Sequence, residues 1–319
     1  MNKEPLVVAI VLNWNGMTIN YNKKPILKLC LESLNKVKYQ NLKLIVADAE
    51  SSDDSLNYVK TKFKKFKIFK TKNKGYAYSN NRAIEYAFKI YPNLDYILLL
   101  NDDLIFEDDL CLPKLINAAE KTKNIGIVGC KLLYPDNKIQ HSGLYLSAFG
   151  TLQKYKNPKK SKKVYAVIGA VFLIKRNVLE TIGLFDETYL PFYHEEIDFC
   201  ERAKKNNYFT FYIGNTKIIH LESASIGSKQ IKNSFNRKDK DYSLHRNKFI
   251  FMLRYHKFKF ISLSLSLLYL VWIFINPNPL YVRSRKEISY RIKIIIPAFI
   301  NALKTYKIRK ISFITKIRI

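Results

Sequence analysis

The stretch YILLLNDDLIFEDD, residues 96–109, decides how the chain folds. Its apolar run from Tyr96 to Leu100 stops abruptly at Asn101-Asp102-Asp103, and a short apolar run bounded by polar residues reads as a strand buried on both faces. The acids then lie at the carboxyl end of that strand. Ligands of open α/β sheets bind at such ends, and closely spaced carboxylates there suit a hard divalent cation such as Mg²⁺ or Mn²⁺, which would in turn hold a diphosphate. The competing reading is a solvated acidic turn, with Glu107 to Asp109 complementing the dipole of a following helix.

The same alternation repeats on either side. Val7 to Leu12 is a β-branched run ending in the turn Asn13-Trp14-Asn15-Gly16, and an apolar stripe predicts a helix over Lys24 to Val37. Leu42 to Ala47 reads as a second strand ending at Asp48, and Ser51 to Ser55 supplies helix caps for Leu56 onward. Lys67 to Lys70 is a short third strand, and Gly75 to Tyr91 has helical spacing. Strand and helix alternate up to residue 100, which predicts an α/β fold with a mostly parallel, doubly wound central sheet flanked by helices. Further strands are expected over Ile125 to Leu133, Val164 to Lys175, and Thr210 to Tyr212 with Lys217 to His220, and a helix over Ile197 to Asn206.

Composition narrows the partners. The 319 residues carry a formal net charge of +29, which draws the chain toward something anionic: nucleic acid, a membrane surface or phosphorylated substrates. A general bias toward Lys, Asn, Ile and Tyr accounts for part of that charge without any function. Four cysteines show no CxxC or zinc spacing, so a reduced cytoplasmic setting is expected. The amino terminus reads as the first strand and not as a secretory signal.

Beyond about Asn233 the character changes, so residues 1–232 are expected to form the α/β domain and 233–319 a helical, basic extension. Phe260 to Ile275 is sixteen residues without a charge, short of the roughly 20 of a comfortable transmembrane helix. It reads as a buried or in-plane amphipathic helix. The tail from Tyr281 interleaves Lys and Arg with Ile, Phe and Tyr, a pattern suited to an anionic bilayer surface. A nucleic-acid-binding tail is the competing reading, but no DNA or RNA module accompanies it and no nucleic-acid partner is expected.

Taken in order, VVAIVLNWNG, LIVADAESSDDS, NKGYAYSNNRAIEYA and YILLLNDDL resemble the nucleotide-sugar-binding half of family 2 glycosyltransferases of the GT-A fold. GAVFLIKRNVLETIGLFDETYLPFYHEEIDFCERAKKNNY resembles the acceptor half of bacterial rhamnosyltransferase-like members. The resemblance covers about Pro5 to Arg254. It implies an inverting, metal-dependent transferase that moves a sugar, with rhamnose suggested, from a UDP- or dTDP-sugar to a hydroxyl of a lipid-linked cell-surface glycan at the inner face of the cytoplasmic membrane. The alternative is a non-catalytic basic membrane- or nucleic-acid-binding protein on a degenerate GT-A scaffold.

The resemblance also assigns roles. Asp48 corresponds to the acid that accepts the imide N–H of uracil or thymine, against a plain reading as a helix cap. Asn13 and Asn15 would pass the nucleoside. Gly75, with Asn80 and Asn81, marks the start of the donor-binding helix, where glycine lets backbone approach the nucleotide. Arg82 is either a phosphate contact or a solvated arginine. Asn101 and Asp102 accompany Asp103, the residue matching the metal-binding acid for Mn²⁺ or Mg²⁺, and His220 resembles a further metal or diphosphate ligand. Glu195-Glu196 falls on the general-base motif with Glu196 where the family has Asp, which leaves the base between Glu196 and Glu195. Asp198 and Arg202 read as an i,i+4 pair. Gly183 to Asp186 with Phe192 and Tyr193 would shape the acceptor pocket, and His141-Ser142-Gly143 resembles an acceptor-side loop. Arg246-Asn247 matches a late signature with no role legible from sequence.

Overall fold

A computed structural model describes residues 4–146, 152–221, 237–255 and 285–308. Strands β1 (Val7–Asn13), β4 (Leu42–Ala49), β5 (Lys67–Thr71) and β6 (Tyr96–Asn101) lie parallel in the order β5-β4-β1-β6. A small hairpin, β2 (Asn20–Tyr21) with β3 (Lys24–Pro25), takes up the start of the helix expected from Lys24. The chain winds outward from β1 to β5 and returns on the far side of β1 as β6. The carboxyl ends of β1 and β6 therefore flank the point where the winding reverses, the place where such sheets open a crevice. Register brings Asn13 beside Asp48 and Leu12 beside Asn101, so these ends stand level.

The second half of the sheet is mixed. β13 (Val171–Lys175) runs antiparallel between β6 and β8 (Ile125–Leu133), and β14 (Phe209–His220) lies parallel to β8 on its other side. Short strands β7 (Leu104–Phe106), β9 (Ile139–His141) and β12 (Lys162–Val164) trim this half, and β10 (Leu144–Leu146) pairs with β11 (Leu152–Lys154) apart from it. The single strand expected over Val164 to Lys175 is broken. Residues 165–170 leave the main ladder, with Ala166 bridged to Leu144 and Tyr76 donating its hydroxyl to Gly169 O at 2.8 Å, where a Cβ would meet the tyrosine oxygen at 2.5 Å. The two strand pieces expected within 210–220 form one strand with an irregularity between Ile213 and Ile218.

Strand alternation sorts the core into two layers. Val7, Ala9 and Val11 pack toward helices α1 (Ile26–Leu34), α2 (Ser55–Lys62) and α4 (Cys111–Glu120). Val8 and Ile10 pack toward α3 (Tyr76–Ile90), α5 (Arg176–Ile182), α6 (Glu195–Lys205), α7 (Arg237–Tyr255) and α8 (Arg285–Ile308). Phe249, Phe251, Ile295 and Ala302 belong to that second layer, so the described part of the C-terminal region is packed into the core of the α/β unit. All four cysteines are buried free thiols. Among the described residues no helix is long and apolar enough to cross a membrane, and Phe260 to Ile275 lies outside them.

Candidate active site

Two loops at the carboxyl edge of the sheet are tied into one cradle. Asn13 donates to Asp48 Oδ1 at 2.8 Å and to Ser51 Oγ at 3.0 Å, while Ser51 N donates to the other Asp48 oxygen at 3.1 Å. Asn15, with a left-handed backbone at φ +54°, accepts from Ser52 N at 2.7 Å. Asp53 accepts from Met17 N at 2.8 Å and Thr18 N at 2.9 Å. Asp48 is thus a buried carboxylate held at the end of β4, each oxygen keeping acceptor capacity. Asp102 turns to the same cradle, its Oδ2 accepting from Trp14 N at 3.3 Å. Burial and the Asp103 charge raise the Asp102 carboxyl well above the ordinary range. Gly16 makes this approach possible, since a Cβ there would lie 2.6 Å from Asn13 Oδ1 and 2.9 Å from Asp102 Oδ2.

Asp103 faces the other way. It is 5% exposed, and its Oδ1 lies 3.2 Å from His220 Nε2 and lacks a hydrogen-bond partner. The histidine tautomer follows from Gln140, whose Nε2 donates to His220 O at 3.3 Å and whose Oε1 stands 2.7 Å from Nδ1. Nδ1 is then the protonated nitrogen. Nε2 faces a carboxylate oxygen, with the Asn101 amide nitrogen 3.4 Å away. With the histidine neutral, a carboxylate oxygen and an imidazole nitrogen converging in this way fit one side of a divalent cation. Among the described residues no group of three or more His, Cys, Asp or Glu side chains is placed to hold a metal ion, so these two protein ligands would have to be completed by others.

The carboxylate pair opens α6. Its first turn holds Glu195, Glu196 and Asp198, the signs that complement a helix amino terminus. Glu195 is 3% exposed with Oε2 unpartnered, and burial together with the Glu196 charge pushes its carboxyl well above the ordinary range. Burial raises the half-buried Glu196 to about 7. Tyr76, at the start of α3, shares their surroundings: its phenol is raised first by burial and then by these two acids. The two acids titrate as a pair, and burial, with their mutual repulsion, raises the carboxyls together.

Behind the pair, Asp198 is fully buried and accepts from Arg202 Nε at 2.8 Å, Tyr189 at 3.2 Å and Tyr255 at 2.6 Å. The i,i+4 pair therefore forms, as part of a buried network reaching α7. Arg202 also donates to Ile182 O and Leu184 O, and Arg254 binds Asp186 Oδ2 at 2.7 Å. Phe192 and Tyr193 sit half-buried just before the acids, their rings edge to face at 5.0 Å.

Other residues are placed differently from their sequence assignments. Asn81 is 2% exposed and gives its amide to the Phe185 backbone and Glu187, so it clamps the 185–187 turn instead of reaching a donor. Arg82 is paired with Glu187 and Glu85 at 3.3 Å each. His141 is buried against Tyr212, and burial foremost lowers its imidazole to about 3, so it is a neutral core group and not part of an open acceptor loop. Gly75 has φ +111°, and the approach it permits is to Pro191, whose oxygen a Cβ would meet at 1.9 Å. Gly75→Ala is expected to destabilise by about 3 kcal/mol, from strain at positive φ plus the clash. An unchanged Tm in calorimetry would show that Pro191 yields freely. Residues that sequence reading left out are Ser51 and Asp53, which cross-link the two cradle loops, and Gln140, which orients His220. Their only local signal is polar residues clustered after strands.

The family profile described as Glycosyl transferase family 2 matches residues 17–183. An N-acetylglucosaminyl-diphospho-decaprenol L-rhamnosyltransferase of Mycobacterium tuberculosis is 20% identical over 237 residues, covering 66% of this chain and 76% of that protein. The first curated relatives, from Sinorhizobium fredii and Myxococcus xanthus, are 26% identical each, and the matches span only 28% and 11% of their lengths. Among solved structures, Staphylococcus aureus TarS 1–349 in complex with UDP-GlcNAc superposes with a TM-score of 0.57 at 16% identity, covering 94% of this chain and 80% of that one. GalNAc-T7 with UDP, GalNAc and Mn²⁺ superposes with a TM-score of 0.61 at 11% identity, covering 96% and 58%. At these identities the likeness shows a shared fold.

Proposed function

Because the chain belongs to glycosyltransferase family 2, whose profile covers residues 17–183, we propose that it transfers a sugar with inversion from a UDP- or dTDP-sugar to a hydroxyl of a lipid-linked cell-surface glycan. The observation that carries this reading is the Asp103–His220 pair at the point where the sheet's winding reverses. Asp48, braced by Asn13 and Ser51, supplies a buried acceptor for the imide N–H of uracil or thymine. TarS bound to UDP-GlcNAc and GalNAc-T7 bound to UDP and Mn²⁺ support the nucleotide and metal parts. The name of the mycobacterial relative supports rhamnose and a diphospholipid acceptor.

Mn²⁺ or Mg²⁺, when bound by Asp103 and His220, supplies the positive charge that a departing diphosphate needs. Glu196, poised near neutrality, takes the proton of the acceptor hydroxyl. The freed oxygen attacks the anomeric carbon on the face opposite the diphosphate. The new bond forms as the old one breaks, so the configuration inverts. The first-turn backbone of α6 and the buried Glu195 surround the base.

The test is a panel of UDP- and dTDP-sugars incubated with the full chain, Mn²⁺ and a polyprenyl-diphospho-sugar acceptor, read by mass spectrometry. One donor is expected to yield free nucleotide and a glycan longer by one residue. A panel consumed nowhere would favour the non-catalytic reading.

The same proposal puts the protein on the inner leaflet. On α8 the exposed Lys293, Ile296, Ile300 and Lys304 share one face, opposite the buried Ile294, Ile295, Ala298 and Ala302. Ile296 and Ile300 are 42% and 47% exposed on a chain of charge +29, a combination suited to anionic lipid. Full-length protein is expected to float with phosphatidylglycerol vesicles, less so at high salt or as the Ile296→Asp/Ile300→Asp variant. Equal flotation of the variant would move the contact elsewhere.

A further inference from the structure

Asn247 does not touch the acid pair, yet it grips the loop that delivers it. The residue is fully buried on α7, and its Nδ2 lies 2.6 Å from Tyr189 O and 2.9 Å from both Phe192 O and Tyr193 O. A side-chain amide has two N–H donors, so these contacts use all of its donor capacity. Arg246 fixes which end of the amide meets the loop: its Nη1 donates to Asn247 Oδ1 at 2.7 Å and to Thr188 O at 2.9 Å. Asn301 on α8 in turn accepts from Arg246 Nε at 2.8 Å.

The gripped segment leads straight into Glu195. Its last residues, Tyr193 and His194, have left-handed backbones at φ +78° and +73°, conformations that cost a non-glycine residue roughly 1 kcal/mol or more each and persist only where surroundings impose them. The carbonyls of 188, 189, 192 and 193 are held by α7, that of Pro191 by Tyr76 N at 3.0 Å and that of His194 by Asp198 N at 2.9 Å. We propose that Asn247, oriented by Arg246, is a positioning residue: by holding the carbonyls of Tyr189, Phe192 and Tyr193 it imposes the left-handed turn that aims Glu196 from the start of α6. This assignment rests on Glu196 as the general base.

A contact that only adds stability would lower Tm when removed and leave Glu196 as it was. The deciding measurement is therefore the titration of Glu196 itself, by NMR of full-length protein carrying ¹³C-carboxyl glutamate, with Glu196→Gln identifying the signal. The wild-type midpoint is expected at about 7. In Asn247→Ala it is expected to fall by about one pH unit or more, because a released loop admits water to the carboxylate. Arg246→Ala, which keeps the amide but lets it turn, should shift it the same way by less. In the donor assay, kcat of Asn247→Ala should drop about 100-fold, the cost of a base displaced by about an ångström, with KM for the nucleotide sugar little changed.

Either variant folded, with a lower Tm and an unmoved Glu196 midpoint, overturns the proposal. If Asn247→Ala does not fold, the Arg246→Ala midpoint decides alone. Should the wild type consume no donor, the transferase reading fails while the titration still answers for Asn247.

Discussion

Glu196→Gln is expected to lower kcat by about 10³-fold while leaving nucleotide binding intact, since the amide keeps the side chain's size and loses only the capacity to take a proton. Glu195→Gln should be close to wild type. Burial and the Glu196 charge push its carboxyl upward toward the neutral form, and an amide mimics that form. The contrast between these two variants settles which acid is the base. The pH dependence carries the same information: the base works deprotonated, so the wild-type rate should rise with pH about a midpoint near 7.

Stability should move oppositely. The folded-state value of Glu196 is raised from 4.5 to about 7, so the folded chain holds a proton that the unfolded chain releases. The resulting stability is full below about pH 4.5 and lost as pH rises toward 7. Glu196→Gln should therefore melt at a higher temperature than wild type at pH 8 and at a similar one at pH 4. Equal melting curves at both values would mean that the carboxylate is solvated in the folded chain.

Asp103→Ala is expected to reduce kcat/KM by about 10³-fold, a typical loss when charge stabilisation of a leaving group is removed. Its diagnostic readout is binding. Wild-type affinity for UDP should increase when Mn²⁺ is added in isothermal calorimetry, and the variant should bind UDP equally weakly with or without it. Asp102→Asn should behave differently. Its Oδ2 serves Trp14 N in the cradle, so the change should lower Tm and spare the Mn²⁺ effect. If the two variants exchanged these behaviours, the assignment within Asn101-Asp102-Asp103 would be reversed.

What sequence could reveal here follows from what is local. Strands β1, β4 and β6 announce themselves by apolar runs closed with Asn or Asp, and because those polar residues end strands, their position at the sheet edge follows at once. The reversal of β13 between β6 and β8 is invisible, since a fully buried strand has the same pattern in either direction. Asn81 and His141 show the other limit. Residue type states which bonds a side chain can make, while burial decides which it does make, and both are consumed by the interior. The helix bearing Glu196 begins two residues before the expected Ile197 because His194 takes a left-handed conformation that no local propensity demands. Asn247 is separated by more than fifty residues from every carbonyl it holds, and such a partnership leaves no trace in local spacing.

The two layers of the core have a consequence for how this enzyme can diversify. Asn13 and Asp48 close strands β1 and β4 and Asp103 follows β6, where the chain runs on toward α1, α2 and α4 on one face of the sheet, whereas Glu196 and the loop before it are braced by α3, α6 and α7 on the opposite face. The Asp103–His220 pair ties the two halves together, because His220 ends β14, beyond any junction in β13, so a chimera joined in β13 would have to keep both residues to keep the proposed metal site.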